Sequence, residues 1–216
     1  MHLTGHQTGF GLRHKSVKTL FRGLRSIEAM RRSLIVHPDS PAGAVSGVTV
    51  ELERGSDRQL RLLFRLAGRL GELALPGKAT PEHTDGLWRH TCFEAFIAPA
   101  GGGAYYEFNL SPSTQWAAYG FDAYRSGMRP LNQRVVGEVA TEVVGEAELQ
   151  LSAALDLSPL TALRGAWRLG LCAVIEAADG QLSYWALRHP PGRADFHHVE
   201  GFHMTLNSGD KDAVWA

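Results

Sequence analysis

Two glutamates lie in the middle of aromatic segments, where a buried carboxylate is costly unless it meets water, a charged partner or a ligand. Glu94 lies within residues 91–98 and Glu107 lies within residues 104–110. Tryptophan, asparagine, glutamine and arginine residues occur close by in the sequence. Indole faces stack on the C–H faces of sugars, while carboxylates and amides form hydrogen bonds with hydroxyl groups. These residue types indicate a pocket for a small polar ligand.

The predicted ligand-binding residues come from the two glutamate segments, the loops beside them and the carboxy-terminal third of the chain. They are Trp88, Arg89, Glu94, Glu107, Asn109, Gln115, Trp116, Trp185, Arg188 and His198. A plainer interpretation competes with this one, in which both glutamates face solvent or pair with an arginine. Trp185 also has a structural alternative as a core residue, since buried tryptophans are common in β-sandwiches.

The same two carboxyl groups suggest an enzymatic alternative. Adjacent strands could bring Glu94 and Glu107 to the roughly 5 Å separation of a retaining glycosidase pair. Opposed residues in any hairpin lie about that close, so the separation alone says little. The sequence offers no further base, metal site or oxyanion donor, which favours binding without catalysis.

The histidines and cysteines do not follow a metal-binding pattern. The sequence contains neither a His-Glu-x-x-His helix nor closely paired cysteines, and His198, Glu200 and His203 have no established ligand spacing. We therefore predict no metal ion. Cys92 and Cys172 each lie in an apparent strand, and without a secretion signal they are predicted to be reduced, buried thiols.

A glycine turn separates the two glutamate segments. Gly101, Gly102 and Gly103 suit a tight chain reversal, and the flanking segments are rich in aromatic and branched residues that favour strands. We predict a β-hairpin here. Because side chains alternate along a strand, Glu94 and Glu107 lie on the faces opposite to their neighbouring phenylalanines.

Further strands are predicted along the rest of the chain. Apolar and polar residues alternate over 48–53 and 60–66, and two runs at 135–144 and 147–155 flank Gly145 as a second hairpin. Residues 167–175 and 183–189 complete the strand pattern. Ser158, Pro159 and Gly165 match the cap, first turn and terminator of a helix, so we predict one short helix there.

Composition limits the class of protein. The chain has 216 residues, 44% of them hydrophobic, with 24 glycines and 10 prolines, which suits one domain of many short strands. The 22 basic and 22 acidic residues offer no strong attraction to nucleic acid or to anionic lipid. No apolar run is long enough to span a bilayer. We therefore expect a cytoplasmic protein with neither nucleic-acid nor membrane partners.

Residues 1–29 differ from the remainder in charge, with five basic residues and one acidic residue. Apolar residues at helical spacing over 17–27 suggest a short basic amphipathic helix. The extension could be a mobile tail, a surface-binding helix or a segment upstream of a true start at Met30, and we favour the last. The predicted domains are thus a basic extension at 1–29, one β domain at 30–207 and a tail at 208–216.

Several motifs together resemble those of the DOMON-like domains, a group akin to the family 9 carbohydrate-binding modules. The family pattern is a tryptophan followed by a Cys, Val or Phe and a Glu, and then Tyr-x-Glu-x-Asn. The matching segments are 87–97, 105–112, 115–119, 183–190 and 195–198, which extend over most of residues 30–206.

The resemblance implies an all-β fold, an antiparallel β-sandwich of jelly-roll type, to which the predicted helix and basic extension are added. It implies a bacterial protein that binds a sugar or a haem. Sugar-binding relatives hold the ring between two tryptophans, a part that Trp88 or Trp116 could take with Trp185. Haem-binding relatives use Met and His, and Met204 is the one methionine here in a predicted strand. We therefore predict a sugar ligand and no cofactor, with haem as the alternative.

Overall fold

The computed structural model describes residues 30–41, 43–55, 58–131 and 134–207, together with the backbone of 213–215. The predicted basic extension at 1–29 lies outside these residues. Within the described part the chain is built from strands, and its helical segments are short 3-10 turns at Leu70–Glu72, Leu87–Arg89 and Val199–Gly201. No helix of this part is long and apolar enough to cross a bilayer.

The strands of the described chain are numbered in order along the sequence. They are β1 (Met30–Val36), β2 (Val45–Arg54), β3 (Gln59–Gly68), β4 (Cys92–Pro99), β5 (Tyr105–Leu110), β6 (Trp116–Phe121), β7 (Arg129–Pro130), β8 (Val136–Val144), β9 (Glu148–Asp156), β10 (Trp167–Glu176), β11 (Leu182–Ala186), β12 (Met204–Leu206) and β13 (Ala213–Trp215). The last of these lies within the predicted tail and pairs with β12.

All named strand pairs are antiparallel, and they form one continuous ladder in the order β7-β6-β5-β4-β10-β11-β1-β2-β3-β9-β8. Strand β1 makes this continuity possible because Met30–Leu34 pair with β2 and Ile35–Val36 pair with β11. The prediction of an all-β antiparallel fold is confirmed. The predicted division into two separate sandwich sheets is not confirmed, since the ladder is a single curled sheet.

One hydrophobic core fills the inside of this curl. Apolar side chains of β2, β3 and β9 pack there with those of β4, β5 and β10. Phe64 of β3 and Phe93 of β4 meet across the interior, with ring centroids 5.1 Å apart. A second buried group, including Phe96, Tyr105, Tyr119 and Phe202, lies on the other face of β4, β5, β6 and β10. Strand β4 is therefore covered on both faces.

The predicted β4–β5 hairpin is present, and its register determines the relative positions of Glu94 and Glu107. Glu94 is directly opposite Asn109, and Phe96 is directly opposite Glu107. The two glutamates are thus diagonal neighbours rather than opposed residues, a relation in which Cα atoms are typically about 7–8 Å apart. The predicted strands at 48–53, 60–66 and 167–175 and the hairpin around Gly145 are also present.

The prediction of a helix around Ser158 and Pro159 was wrong. Residues 157–163 instead form successive tight turns, in which Leu160 N–H donates to Leu157 O and Leu163 N–H donates to Leu160 O. The three leucines are buried in the core. Because the leucines are three residues apart, each consecutive turn brings one of them into the core. The Asp156 side chain also accepts a hydrogen bond from Ser158 N–H, and this local bond competes with the start of a helix.

Candidate functional site

A cavity of about 340 Å³ opens on the outer face of β4, β5 and β10, opposite the main core. Its polar lining includes Glu94, Glu107, Arg125 and His197. Its aromatic lining is formed by Trp88, Phe121, Tyr184 and Phe196. A cavity with apolar walls and a few convergent polar groups is typical of small-ligand sites.

Strand alternation and register explain why polar groups meet here. Glu94 projects from the middle of β4, between its cross-strand partners Asn109 on β5 and Cys172 on β10. Glu107 projects from β5, opposite Tyr119 on β6. Cross-strand partners lie on the same face of a sheet, and Glu107 is two residues from Asn109 on one strand, so these side chains share one face.

Glu94 is the most confined polar group of the cavity. It is 3% exposed, and its Oε1 has no hydrogen-bond partner among the described residues. Burial raises the pKa of Glu94 well above its ordinary value, and the negative charge of Glu107 raises it further. The carboxyl group therefore keeps its proton to a higher pH than an exposed glutamate does.

Glu107 is also buried, at 4% exposure, but it has partners. Asn109 donates from Nδ2 to Glu107 Oε1 at 2.7 Å, and His197 Nε2 lies 3.8 Å from Glu107 Oε2. Burial raises the pKa of Glu107, while the hydrogen bond from Asn109 and the charge of Arg125 oppose that rise. Of the two carboxyl groups, Glu107 is the one already held in place.

His197 is held in its neutral form. Its Nδ1 lies 2.8 Å from the Tyr105 hydroxyl, which also accepts a hydrogen bond from the backbone N–H of Arg125 at 3.1 Å. Burial and the nearby charge of Arg125 lower the pKa of His197 to about 4, against a weaker opposing effect of Asp195. The hydrogen bond between Nδ1 and the Tyr105 hydroxyl leaves Nε2 facing Glu107 Oε2.

Two loops are joined at the mouth of the cavity. Asp195 accepts hydrogen bonds from Arg125 Nη2 at 2.7 Å and from the Tyr124 hydroxyl at 2.5 Å. These residues link the β6–β7 loop to the segment that follows Pro190. Arg125 has a positive φ of 50°, a conformation that costs a non-glycine residue free energy and that the surrounding contacts must stabilise.

Some of the predicted site residues come together at this cavity. Trp88, Glu94 and Glu107 line it, and Asn109 lies beside Glu107. Trp88 projects from the 3-10 turn Leu87–Arg89 and meets Tyr119 edge to face, with ring centroids 5.9 Å apart. The structure thus brings these four residues together at one cavity.

Trp116 and Trp185 lie on the inner side of the sheet instead. Trp116 is directly opposite Leu110, a core residue, and packs against the main core. Trp185 is 5% exposed, belongs to the same core and donates from Nε1 to the Ser183 hydroxyl at 3.0 Å. Their strand registers therefore point both indoles away from the cavity.

The other predicted residues lie outside the cavity lining. Arg89 is exposed, and Arg188 is exposed and lies 3.6 Å from Glu200. Gln115 is in the β5–β6 turn and accepts a hydrogen bond from the Ser113 hydroxyl at 3.2 Å. His198 lines a separate, mainly apolar cavity and accepts a hydrogen bond from Glu200 N–H.

Eight residues of the cavity lining were not among the predicted ones, and five of them are aromatic or charged, or carry an imidazole ring. These five are Phe121, Arg125, Tyr184, Phe196 and His197. Two signals could have identified some of them. Tyr184 and Trp185 are adjacent on one strand and point to opposite faces, so the prediction of Trp185 as a site residue excluded Tyr184. Phe196 and His197 belong to the motif at 195–198, of which only His198 was predicted.

Of the methionine and histidine residues, Met128 and His197 line the cavity, whereas Met204 does not. No group of three or more histidine, cysteine or carboxylate residues in the described ranges could hold a metal ion. Both ring nitrogens of His197 face protein groups, and Met204 is fully buried in the main core. Cys92 and Cys172, which lie near Glu94, are free, buried thiols, as predicted.

Comparisons with known proteins relate this chain to others through its fold. The sequence matches no family model and no curated protein. The structure is similar to that of a "putative carbohydrate-binding protein" from Bacteroides uniformis, with a TM-score of 0.60, 17% identity, and coverage of 83% of this chain and 86% of that one. At this identity, the similarity shows a shared fold.

Two more distant similarities involve a family 9 carbohydrate-binding module from Caldicellulosiruptor kristjanssonii. Its complex with cellotriose has a TM-score of 0.43 and 9% identity, covering 76% of this chain and 75% of that chain. Its complex with glucose has a TM-score of 0.39 and 10% identity, covering 74% and 76%.

Proposed function

We propose that this protein is a DOMON-like binding module that holds a sugar, or a similar polyol, in the cavity above Glu94 and Glu107. The observation that carries the proposal is the buried Glu94 carboxyl group, which lines an aromatic-walled cavity and whose Oε1 has no hydrogen-bond partner within the described ranges. A buried polar atom left unsatisfied costs about 1–3 kcal/mol. A ligand hydroxyl that bonds to Glu94 removes this cost.

The rest of the lining suits the remaining surface of a sugar. Glu107, His197 and Arg125 supply further hydrogen-bonding groups, and the aromatic walls suit the C–H faces of a pyranose ring. A volume of about 340 Å³ is at the small end of ligand pockets, which matches a monosaccharide or one chain end. The fold shared with the Bacteroides protein agrees with this function, but fold alone does not establish it.

A titration with two matched tryptophan variants tests the proposal. Trp88 lines the cavity and Trp116 faces the core, and both are half-buried. We expect Trp88→Leu to weaken sugar binding by about 1.5 kcal/mol, roughly tenfold in Kd, through loss of a stacking aromatic surface. Trp116→Leu should leave the Kd unchanged in protein that remains folded.

The measurement is isothermal titration calorimetry with a panel of monosaccharides and short oligosaccharides, after thermal unfolding has confirmed that each variant is folded. Binding that is lost equally in both tryptophan variants would contradict the assignment of this cavity. Absence of heat with every sugar in the panel would contradict the proposed function itself.

The raised pKa of Glu94 favours one second candidate, glycoside cleavage, because a buried carboxyl group that keeps its proton can act as a general acid. Glu107 would then be the nucleophile or base. Turnover of aryl glycosides that disappears in Glu107→Gln, while sugar binding persists, would support this candidate. Equal absence of turnover in the wild type and the variant leaves binding as the function.

A further inference from the structure

The cavity lining contains two carboxyl groups and one guanidinium group. Glu94 and Glu107 are two carboxyl groups on diagonal positions of one hairpin, and the cationic group nearest to them in the lining, Arg125, is already paired with Asp195. His197 is kept neutral by its surroundings. Among the described lining residues, no cation is free to pair with Glu94.

Glu94 and Glu107 differ in what they have available for a ligand. Glu107 accepts a hydrogen bond from Asn109 and faces His197, whereas Glu94 Oε1 has no partner in the described part of the chain. An isolated buried carboxylate is strongly disfavoured, and a cation placed beside it removes that penalty. The buried Oε1 of Glu94 is therefore better matched by a ligand donor with positive charge than by a neutral one.

The walls of the cavity are also compatible with a cation. Trp88, Phe121, Tyr184 and Phe196 line it, and aromatic faces attract ammonium groups through their negative π surfaces. A carboxylate surrounded by aromatic rings recognises an amine by both effects together. A neutral hydroxyl group is attracted less strongly than an ammonium group both by the carboxylate and by the aromatic rings.

We propose that the ligand is a basic sugar, whose protonated amine forms an ion pair with Glu94 while its hydroxyl groups meet the remaining polar lining. This inference rests on the proposed function, because it names the class of sugar that the same cavity takes. In this arrangement the amine of the ligand pairs with Glu94. A hydroxyl group of the ligand bonds to Glu107, whose carboxyl group is held by Asn109.

Ion pairing requires a defined proton balance. The titratable groups around Glu94 are Glu107, Cys92 and Cys172, and their burial together with the two carboxyl charges keeps all four groups protonated to higher pH than usual. When an ammonium group enters, Glu94 loses its proton to solvent and the ligand keeps its own. Each bound basic sugar therefore releases up to one proton, whereas a neutral sugar releases none.

The test compares amino sugars with neutral sugars on the full chain at about pH 6, where sugar amines are protonated. The probes are glucosamine, 6-amino-6-deoxyglucose, glucose and N-acetylglucosamine, titrated calorimetrically in two buffers of different ionisation enthalpy. We expect at least one of the two amines to bind at least about tenfold more tightly than glucose, consistent with a hydrogen bond to a charged group. The buffer dependence should report proton release for that amine alone.

Two glutamine variants localise the effect. Glu94→Gln keeps the shape of the side chain and removes its charge, so the preferred amine should fall to the affinity of glucose and its proton release should disappear. Glu72→Gln is the matched control, since Glu72 is exposed and paired with Arg69. Glu72→Gln should leave the affinity for the preferred amine and the proton release unchanged.

The outcomes separate this inference from the proposed function. Neutral sugars that bind as tightly as both amines, or amine binding without proton release in the wild type, would overturn the basic-sugar proposal and leave sugar binding intact. Failure of all four probes, together with the wider sugar panel, would overturn both. The proton measurement needs only the wild type, so an unstable Glu94 variant does not prevent a decision.

Discussion

At the scale of single residues, two buried titratable groups make the stability depend on pH in opposite senses. Between the ordinary glutamate pKa of 4.5 and the raised pKa of Glu94, the folded protein binds a proton that the unfolded chain has lost. Stability from this group therefore falls as pH rises. His197 has a pKa lowered from 6.5 to about 4, so its contribution is lost as pH falls through that interval. The two effects therefore oppose each other above pH 4.5.

Replacement of Glu94 by glutamine should therefore flatten the pH dependence above pH 4.5, the ordinary glutamate pKa. Each unit of pH changes the unfolding free energy by at most about 1.4 kcal/mol per proton, so the contribution of Glu94 to wild-type stability should fall as the pH rises above that value, and Glu94→Gln should lack this fall. Urea unfolding at several pH values measures this slope. Glu72→Gln serves as the exposed control, and a slope equal in all three proteins would contradict the buried, protonated state of Glu94.

At the scale of elements, the cavity wall depends on how the chain after β11 packs on β10. The 3-10 turn Val199–Gly201 lies against Gly170, where an added Cβ would be 3.1 Å from Gly201 O. Arg168 donates from Nη2 to Val199 O at 3.0 Å and holds the turn on the strand. The segment just before this turn carries Phe196 and His197, so close packing at Gly170 helps to set the aromatic wall.

A larger side chain at Gly170 should displace this turn. We expect Gly170→Val to lower the unfolding free energy by about 1–3 kcal/mol through overpacking, and to weaken ligand binding as Phe196 and His197 move. Gly47→Val is the matched control, since Gly47 is also a strand glycine but has open space where a Cβ would be. Calorimetric titration and thermal unfolding of both variants provide the measurement. Unchanged affinity in folded Gly170→Val would show that the turn does not position the wall.

At the scale of the whole molecule, one ladder and one core connect the strands. Strand β1 joins the part of the sheet around β2 and β3 to the part around β10 and β11. Phe64 and Phe93 connect the same two parts through the interior. Because β4, β5 and β10 contribute side chains to both the main core and the second buried group, the domain should unfold as a single unit.

Truncation at the centre of the core should therefore destabilise every strand together. Phe93 is fully buried, and Phe93→Ala should lower the unfolding free energy by about 3–5 kcal/mol. Far-ultraviolet circular dichroism and tryptophan fluorescence should shift to a common, lower denaturant midpoint. Val143→Ala, at an exposed valine, should change stability by less than about 0.5 kcal/mol. Separate midpoints for the two probes would indicate parts of the sheet that unfold independently.

The sequence by itself determined strands β2–β5 and β8–β11, the central hairpin and the separation of faces along β4 and β5. These features are local, because a period of two and a glycine turn follow from neighbouring residues. Residues 157–163 show the limit of local signals. Cap and terminator residues favoured a helix there, and burial of Leu157, Leu160 and Leu163 on successive turns determined the outcome.

Only the tertiary structure decided which aromatic residues meet the glutamates. Alternation shows that Trp185 and Tyr184 lie on opposite faces, but both faces of this part of the sheet are covered, so hydrophobicity does not say which face is the interior. Strand order and register place Trp116 and Trp185 in the core and bring Tyr184 to the cavity. The loop carrying Phe196 and His197 reaches Glu107 from a distant part of the chain, and contacts of that range depend on the assembled sheet rather than on spacing in the sequence.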